Sequence, residues 1–302
     1  MDGQSVNQER LPFLLALQFH PEAKNQAMAL ASLMADLEPS PQMKMGFMFC
    51  PKFDTLVDTT VEAKVKAKFP DTRIFQCKSR ARGWPQGPNA QAHEVYAHFY
   101  AKCHDLRDPW RYCAILMGEP DCLPMTPDWV SQLQDEWYTC DWHWTLGSGY
   151  PGNQQLVLGH WVARDDSQCR MPHINGNCML SPEFMTRYRA FTQTTFGAWD
   201  TTHSRATLNW GRPSKKIYSD YNIGGKLSER KYIGCADLMK PRIAPDKHPL
   251  AGTVLHPAYL HGIKDDRAIA DMRKILLDNF SDPSMARLNA HLHPPTQTQR
   301  TP

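Results

Sequence analysis

Glu119 and Asp121 stand two positions apart in Gly118-Glu119-Pro120-Asp121, where a short apolar run stops abruptly. Two carboxylates spaced this way across a turn can offer oxygen ligands to a hard divalent cation and, through it, to a diphosphate. The plain alternative is an ordinary acidic turn. Later in the chain, Leu255-His256-Pro257-Ala258-Tyr259-Leu260-His261-Gly262-Ile263-Lys264-Asp265 carries a histidine followed closely by a lysine. A neutral imidazole is a metal ligand and an ammonium neutralises phosphate. Alone, that stretch also reads as a turn before a helix, with Asp265 as its cap. The loop Arg82-Gly83-Trp84-Pro85-Gln86-Gly87-Pro88-Asn89 has glycines that let backbone approach a ligand, and Asn89 can bond a polar group at a helix start. In His173-Ile174-Asn175-Gly176-Asn177, Asn and Gly in series predict a tight turn just before a helix, with amides able to hold a hydroxylated ligand.

These residues need a scaffold, and the pattern predicts a mostly parallel α/β sheet. Tyr112 to Met117 is short, continuously apolar and stopped by Gly and Pro, as a buried strand is. Pro120 cannot continue a ladder, so the chain turns out at the strand's C-terminal end, which is the ligand-binding edge of open α/β sheets. Strands are expected at Leu11–Phe19, Met43–Cys50 and Arg73–Cys77. Helices are expected from His20-Pro21-Glu22 to about Leu37, over Thr55–Phe69, and from about Ala90 to Cys103. This alternation signals βαβ units. Residues 27, 28, 30, 31, 33 and 34 give the first helix a broad buried face. Beyond the acidic turn we expect a helix over Pro127–Tyr138 with Thr126 as cap, strands at Asp141–Tyr150 and Gln155–Val162, and a helix opened by Ser181-Pro182-Glu183. Phe196 to Asp246 reads as loops shaping a substrate cleft, and Asp265–Phe280 as a final amphipathic helix. Residues 1–10 are expected to be flexible and 289–302 disordered.

Composition narrows the class. The chain has 302 residues, 41% of them apolar and 22% charged, as soluble globular proteins do. A net charge of +3 is too small to imply a polyanion partner without clustering. Nine cysteines without a C-x-x-C pair favour reduced thiols and a cytoplasmic location. Thirteen histidines lack finger or H-E-x-x-H spacing, which argues against structural zinc. No apolar run approaches a membrane span.

Together the four segments resemble GT-A-type glycosyltransferases, whose nucleotide-binding half is a Rossmann-like sheet. Members of that fold commonly carry an acidic DxD-like turn after a central strand and a late histidine, often as His-Gly-x-Lys. Here the turn is Glu119-Pro120-Asp121, so the first acid is Glu and Asp121 takes the place of the last. His261, Gly262 and Lys264 match the late motif, and the order of all four segments is as expected over about residues 11 to 266. The resemblance implies one catalytic domain, with a nucleotide-binding half over about 11–126 and an acceptor half over about 127–288. It implies transfer of a sugar from a nucleotide-diphosphate donor, aided by Mn²⁺ or Mg²⁺ held by Glu119, Asp121 and His261. Arg82, Gly83, Gly87, Asn89, Asn175 and Lys264 would then border the donor. An inverting transferase needs a base for the acceptor hydroxyl, and Asp200 beside Trp199 is the first candidate, with Glu183 second.

Basic residues in Lys78-Ser79-Arg80-Ala81-Arg82 and Arg212-Pro213-Ser214-Lys215-Lys216, with Trp84, Trp210, Tyr218 and Tyr221 among them, can track a phosphate backbone and stack bases. That suggests an acceptor in DNA, such as the hydroxymethylated pyrimidine used by certain phage transferases. A saccharide or small-molecule acceptor, and a non-catalytic binding module that keeps the fold, are the rival readings. A nucleotidyltransferase predicts a Gly- and Lys-rich loop after the first strand, and His20-Pro21-Glu22 is not one.

Overall fold

The computed structural model describes residues 10–83, 86–126, 128–139, 144–150, 154–157, 160–163, 173–184, 211–214, 216–219, 242–243, 254–255, 258–262 and 266–281. Its first half alternates β1 (Phe13–Phe19), α1 (Lys24–Leu37), β2 (Met45–Pro51), α2 (Thr59–Lys68), β3 (Thr72–Ile74), α3 (Gln86–Cys103) and β4 (Ile115–Gly118). Then come β5 (Leu123–Pro124), α4 (Trp129–Tyr138), β6 (Thr145–Tyr150), a hairpin of β7 (Gln154–Val157) and β8 (His160–Ala163), and β9 (His173–Leu180). Short strands β10 (Gly211–Pro213), β11 (Ile217–Ser219), β12 (Arg242–Ile243), β13 (Val254–Leu255) and β14 (Tyr259–His261) precede α5 (Asp266–Ser281).

The central sheet has seven strands in the order β10-β6-β9-β4-β1-β2-β3. β1 pairs in parallel with β2 and β4, and β2 with β3, whereas β9 runs antiparallel between β4 and β6. The α/β sheet flanked by helices is the architecture expected from the alternation. Continuous apolar strands form it because both faces are covered. Phe13, Leu15, Leu17 and Phe19 of β1 pack with α1 and α4, while Leu14 and Ala16 pack with Ala92, Val95, Tyr96 and Phe99 of α3. A second, three-stranded sheet, β11-β14-β5, is joined through the strand that follows the acidic turn.

Several boundaries differ from the sequence reading. α2 begins at Thr59, not Thr55, because the Asp58 carboxylate accepts from the Thr60 and Val61 N–H groups and fixes the helix start there. α3 begins at Gln86, so Gly87 and Asn89 lie in its first turn and not in the preceding loop. Gln155–Val162 is two strands of a hairpin. Thr126 does not cap α4; its Oγ1 accepts from the Gln132 side chain instead. The largest correction concerns His173-Ile174-Asn175-Gly176-Asn177, which is part of strand β9 and not a turn. β6 pairs antiparallel with it at His173 and Ile174 and again from Cys178, with a register irregularity between, and that tertiary pairing overrides the local turn preference of Asn and Gly. The cleft loops expected over 196–246 lie mostly outside the described residues. No described helix is long and apolar enough to cross a membrane.

Glu38, which caps the C-terminal end of α1, is only 5% exposed, and among the described residues its Oε1 meets no donor. Burial pushes this carboxyl up to about 7, opposed weakly by Gln42 and Lys68. A folded pKa above the ordinary value means that its contribution to stability is complete below about pH 4.5 and is lost as pH rises through about 7. Glu38→Gln is therefore expected to be about 1–2 kcal/mol more stable than the parent near pH 8, after allowance for solvent screening, and equal to it at about pH 4. Urea unfolding midpoints at the two pH values check this.

Candidate metal centre

Because β1, β2 and β4 are parallel, the segments that follow them share one edge of the sheet. Gly118 ends β4, and the chain turns through Glu119-Pro120-Asp121 into β5. The Cys122 N–H closes this turn on the Glu119 carbonyl at 3.1 Å. β5 then pairs antiparallel with β14, Leu123 opposite Leu260, which sets His261 beside the turn. Gly262 leaves β14 with a φ of 100°, a conformation that only glycine adopts without strain. This pairing explains how residues 142 positions apart meet.

His261 Nε2 lies 3.3 Å from Glu119 Oε2 and 3.4 Å from Asp121 Oδ1. One ligand atom from each of the three residues falls within 4.8 Å of the others. The His261 and Asp121 side chains are buried, at 2% and 9% exposure, while that of Glu119 is 42% exposed. Two carboxylates and an imidazole are a donor set for a divalent cation. An octahedral ion with ligands at about 2.1 Å spaces adjacent donor atoms about 3 Å apart, so the distances from His261 to each carboxylate match adjacent positions around such an ion.

The support beneath the turn comes from residues that the sequence reading did not single out. Cys122 Sγ donates to Asn177 Oδ1 at 3.0 Å, which ties the turn to β9. Burial, then the Asp121 charge, pushes the Cys122 thiol well up, so it stays protonated as a donor. Burial likewise pushes up the Tyr259 hydroxyl, whose ring stacks on Trp129 at 5.7 Å. Arg273 Nη2, from α5, donates to the Pro120 carbonyl at 3.2 Å. Cys122 adjoins Asp121 and could have been flagged by that position. Arg273 sits in an ordinary helical pattern and carries no local signal.

The other expected site residues divide. Arg82 and Gly83 lie at the same sheet edge, because their loop crosses the end of β2: Cys77 N–H donates to the Pro51 carbonyl at 3.0 Å. The Lys52 ammonium donates to the Ala81 carbonyl. Gly83, with φ of 74°, accepts the Gly87 N–H as α3 starts. Gly87 is buried and Asn89 half-buried in that first helical turn. The Arg80 guanidinium lies 4.4 Å over the Phe53 ring. Asn175 belongs to β9, with a side chain outside the described residues, and Asp200 and Lys264 lie outside them altogether.

No protein-family model matches the chain, and neither does any curated protein. Among solved structures it is similar to the glycosyltransferase GlyE of Streptococcus pneumoniae TIGR4, with 8% identity and a TM-score of 0.43 over 93% of this chain and 63% of that one. The bifunctional glycosyltransferase WbbM in its apo form is similar at 8% identity and a TM-score of 0.48, over 92% of this chain and 51% of that one. The galactosyltransferase LgtC, in complex with donor and acceptor sugar analogs, is similar at 12% identity and a TM-score of 0.44, over 89% and 96%. This chain thus spans less than two thirds of the first two. At such identities and scores, function has to be argued from the site itself.

Proposed function

We propose that the chain is a metal-dependent glycosyltransferase that moves a sugar from a nucleotide-diphosphate donor to an acceptor hydroxyl. The observation that carries this reading is the meeting of Glu119, Asp121 and His261 at the C-terminal edge of a mostly parallel sheet. The same residues carry the resemblance to GT-A-type enzymes. A divalent cation bound there supplies charge neutralisation to a departing diphosphate. Asp121 and His261 are the fixed holders, since burial restricts both side chains. Glu119, on the exposed side, faces the position a donor enters. Histidine in the set tilts the preference toward Mn²⁺ over Mg²⁺.

Around this centre, Arg82, Gly83 and the first turn of α3 with Gly87 and Asn89 would border the nucleotide, with Lys264 beside the phosphates and Asn175 toward the sugar. Asp200 remains our base for the acceptor hydroxyl, so Asp200→Asn should bind donor and fail to transfer. The acceptor is a saccharide, a small molecule or a hydroxymethylated pyrimidine in DNA. Arg80 already spends its face on Phe53, which weakens the case that its basic loop tracks nucleic acid. Transfer to free sugars without DNA would remove the DNA reading.

A thermal-shift panel of nucleoside diphosphates and nucleotide sugars, with and without Mn²⁺, tests the donor site. Ligands that bind only the folded state raise its melting temperature by mass action. One nucleotide should give a metal-dependent rise of several degrees. No rise with any of them would sink the transferase reading.

A further inference from the structure

We propose that Arg273 is a positioning residue that holds the acidic turn in the shape its carboxylates need, an inference that rests on the metal-centre reading above. Arg273 is half-buried on α5 and donates through one nitrogen, Nη2, to two carbonyls: Pro120 at 3.2 Å and Gln26, near the start of α1, at 3.3 Å. Pro120 is the middle residue of the turn and has no N–H, so its carbonyl is the one backbone group by which the protein can hold it. The hold comes from 153 residues away. Glu119 and Asp121 flank Pro120, so a shift of that carbonyl moves both carboxylates relative to His261. The two hydrogens of one guanidinium nitrogen point along a fixed fork, which suits two carbonyls on separate elements. α5 starts five residues after His261, so one C-terminal segment supplies the third ligand and clasps the turn bearing the other two.

Partners outside the ligand set that orient ligands typically change metal affinity by about 10- to 100-fold when removed. The experiment compares wild type with Arg273→Gln and Arg273→Lys in two readouts. The first is amide hydrogen exchange in metal-free protein at Cys122, whose N–H closes the turn, with Leu14 in β1 as reference. The second is Mn²⁺ affinity measured by titration. Arg273→Gln should speed exchange at Cys122 by about tenfold while Leu14 stays protected, and should weaken Mn²⁺ binding by about tenfold. Arg273→Lys keeps the charge and stem without the fork, and should fall between the two. Unchanged exchange at Cys122, or equal acceleration at Leu14, would overturn the inference, the second because it reports general loosening. Wild-type protein that binds no Mn²⁺ would overturn the metal-centre reading alone, since the exchange comparison needs no metal.

Discussion

Asp121→Asn is expected to lower metal-dependent sugar transfer by roughly a hundredfold to a thousandfold, the scale at which loss of one preorganised charge-stabilising group is felt. The substitution keeps the size and shape of the side chain and removes its negative charge. Asp121 is 9% exposed, so water cannot replace the lost ligand, and it faces His261 at 3.4 Å. Glu119→Gln should be milder, because a 42% exposed side chain leaves room for water to take the vacated position. His261→Gln should fall nearer to Asp121→Asn, being buried. Initial rates titrated with Mn²⁺, together with Mn²⁺ affinity, give the ranking. The melting temperature of each metal-free variant controls for folding. Full activity in Asp121→Asn would return Glu119-Pro120-Asp121 to an ordinary acidic turn.

The largest stability effect is expected at Trp129. Its side chain is fully buried at the start of α4, and its ring stacks on Tyr259, two residues before His261. Trp129→Ala removes one of the largest buried side chains and should cost about 3–5 kcal/mol. Trp129→Phe should cost much less, roughly 1 kcal/mol. It keeps most of the aromatic packing and also removes an indole N–H that, among the described residues, is buried without an acceptor. Urea unfolding at constant pH checks both. The Ala variant should also bind Mn²⁺ more weakly, because loss of the stack frees β14 to move. An Ala variant as stable as Trp129→Phe would mean that this side of the molecule repacks.

Much of the N-terminal half, up to the acidic turn, was legible in the chain. Buried parallel strands need no alternation, so Phe13–Phe19 and Met45–Pro51 show as continuous apolar runs. Gly118 and Pro120 end such a run wherever it occurs, and parallel pairing then sends the ends of β1, β2 and β4 to one edge. The acidic turn's place at that edge follows from local chemistry plus one topological rule. His261 was a weaker case, since its motif stands out only through resemblance to a family and its spacing from Glu119 carries no periodic signal.

What the sequence by itself determined was therefore local: apolar runs, breakers, caps, and the order of strands and helices. Tertiary structure decided the rest. His173–Leu180 becomes a strand because β6 pairs with both its ends and β4 with Met179 and Leu180, although Asn and Gly alone favour a turn. α3 takes Gly87 and Asn89 into its first turn once Gly83 accepts the Gly87 N–H. Pairing of β5 with β14 brings His261 to the acidic turn, and Arg273 reaches Pro120 from the last helix. Each of these depends on hydrogen bonds between residues remote in sequence. Such bonds form only after the core has fixed the relative positions of whole elements, so no window of neighbouring residues can report them.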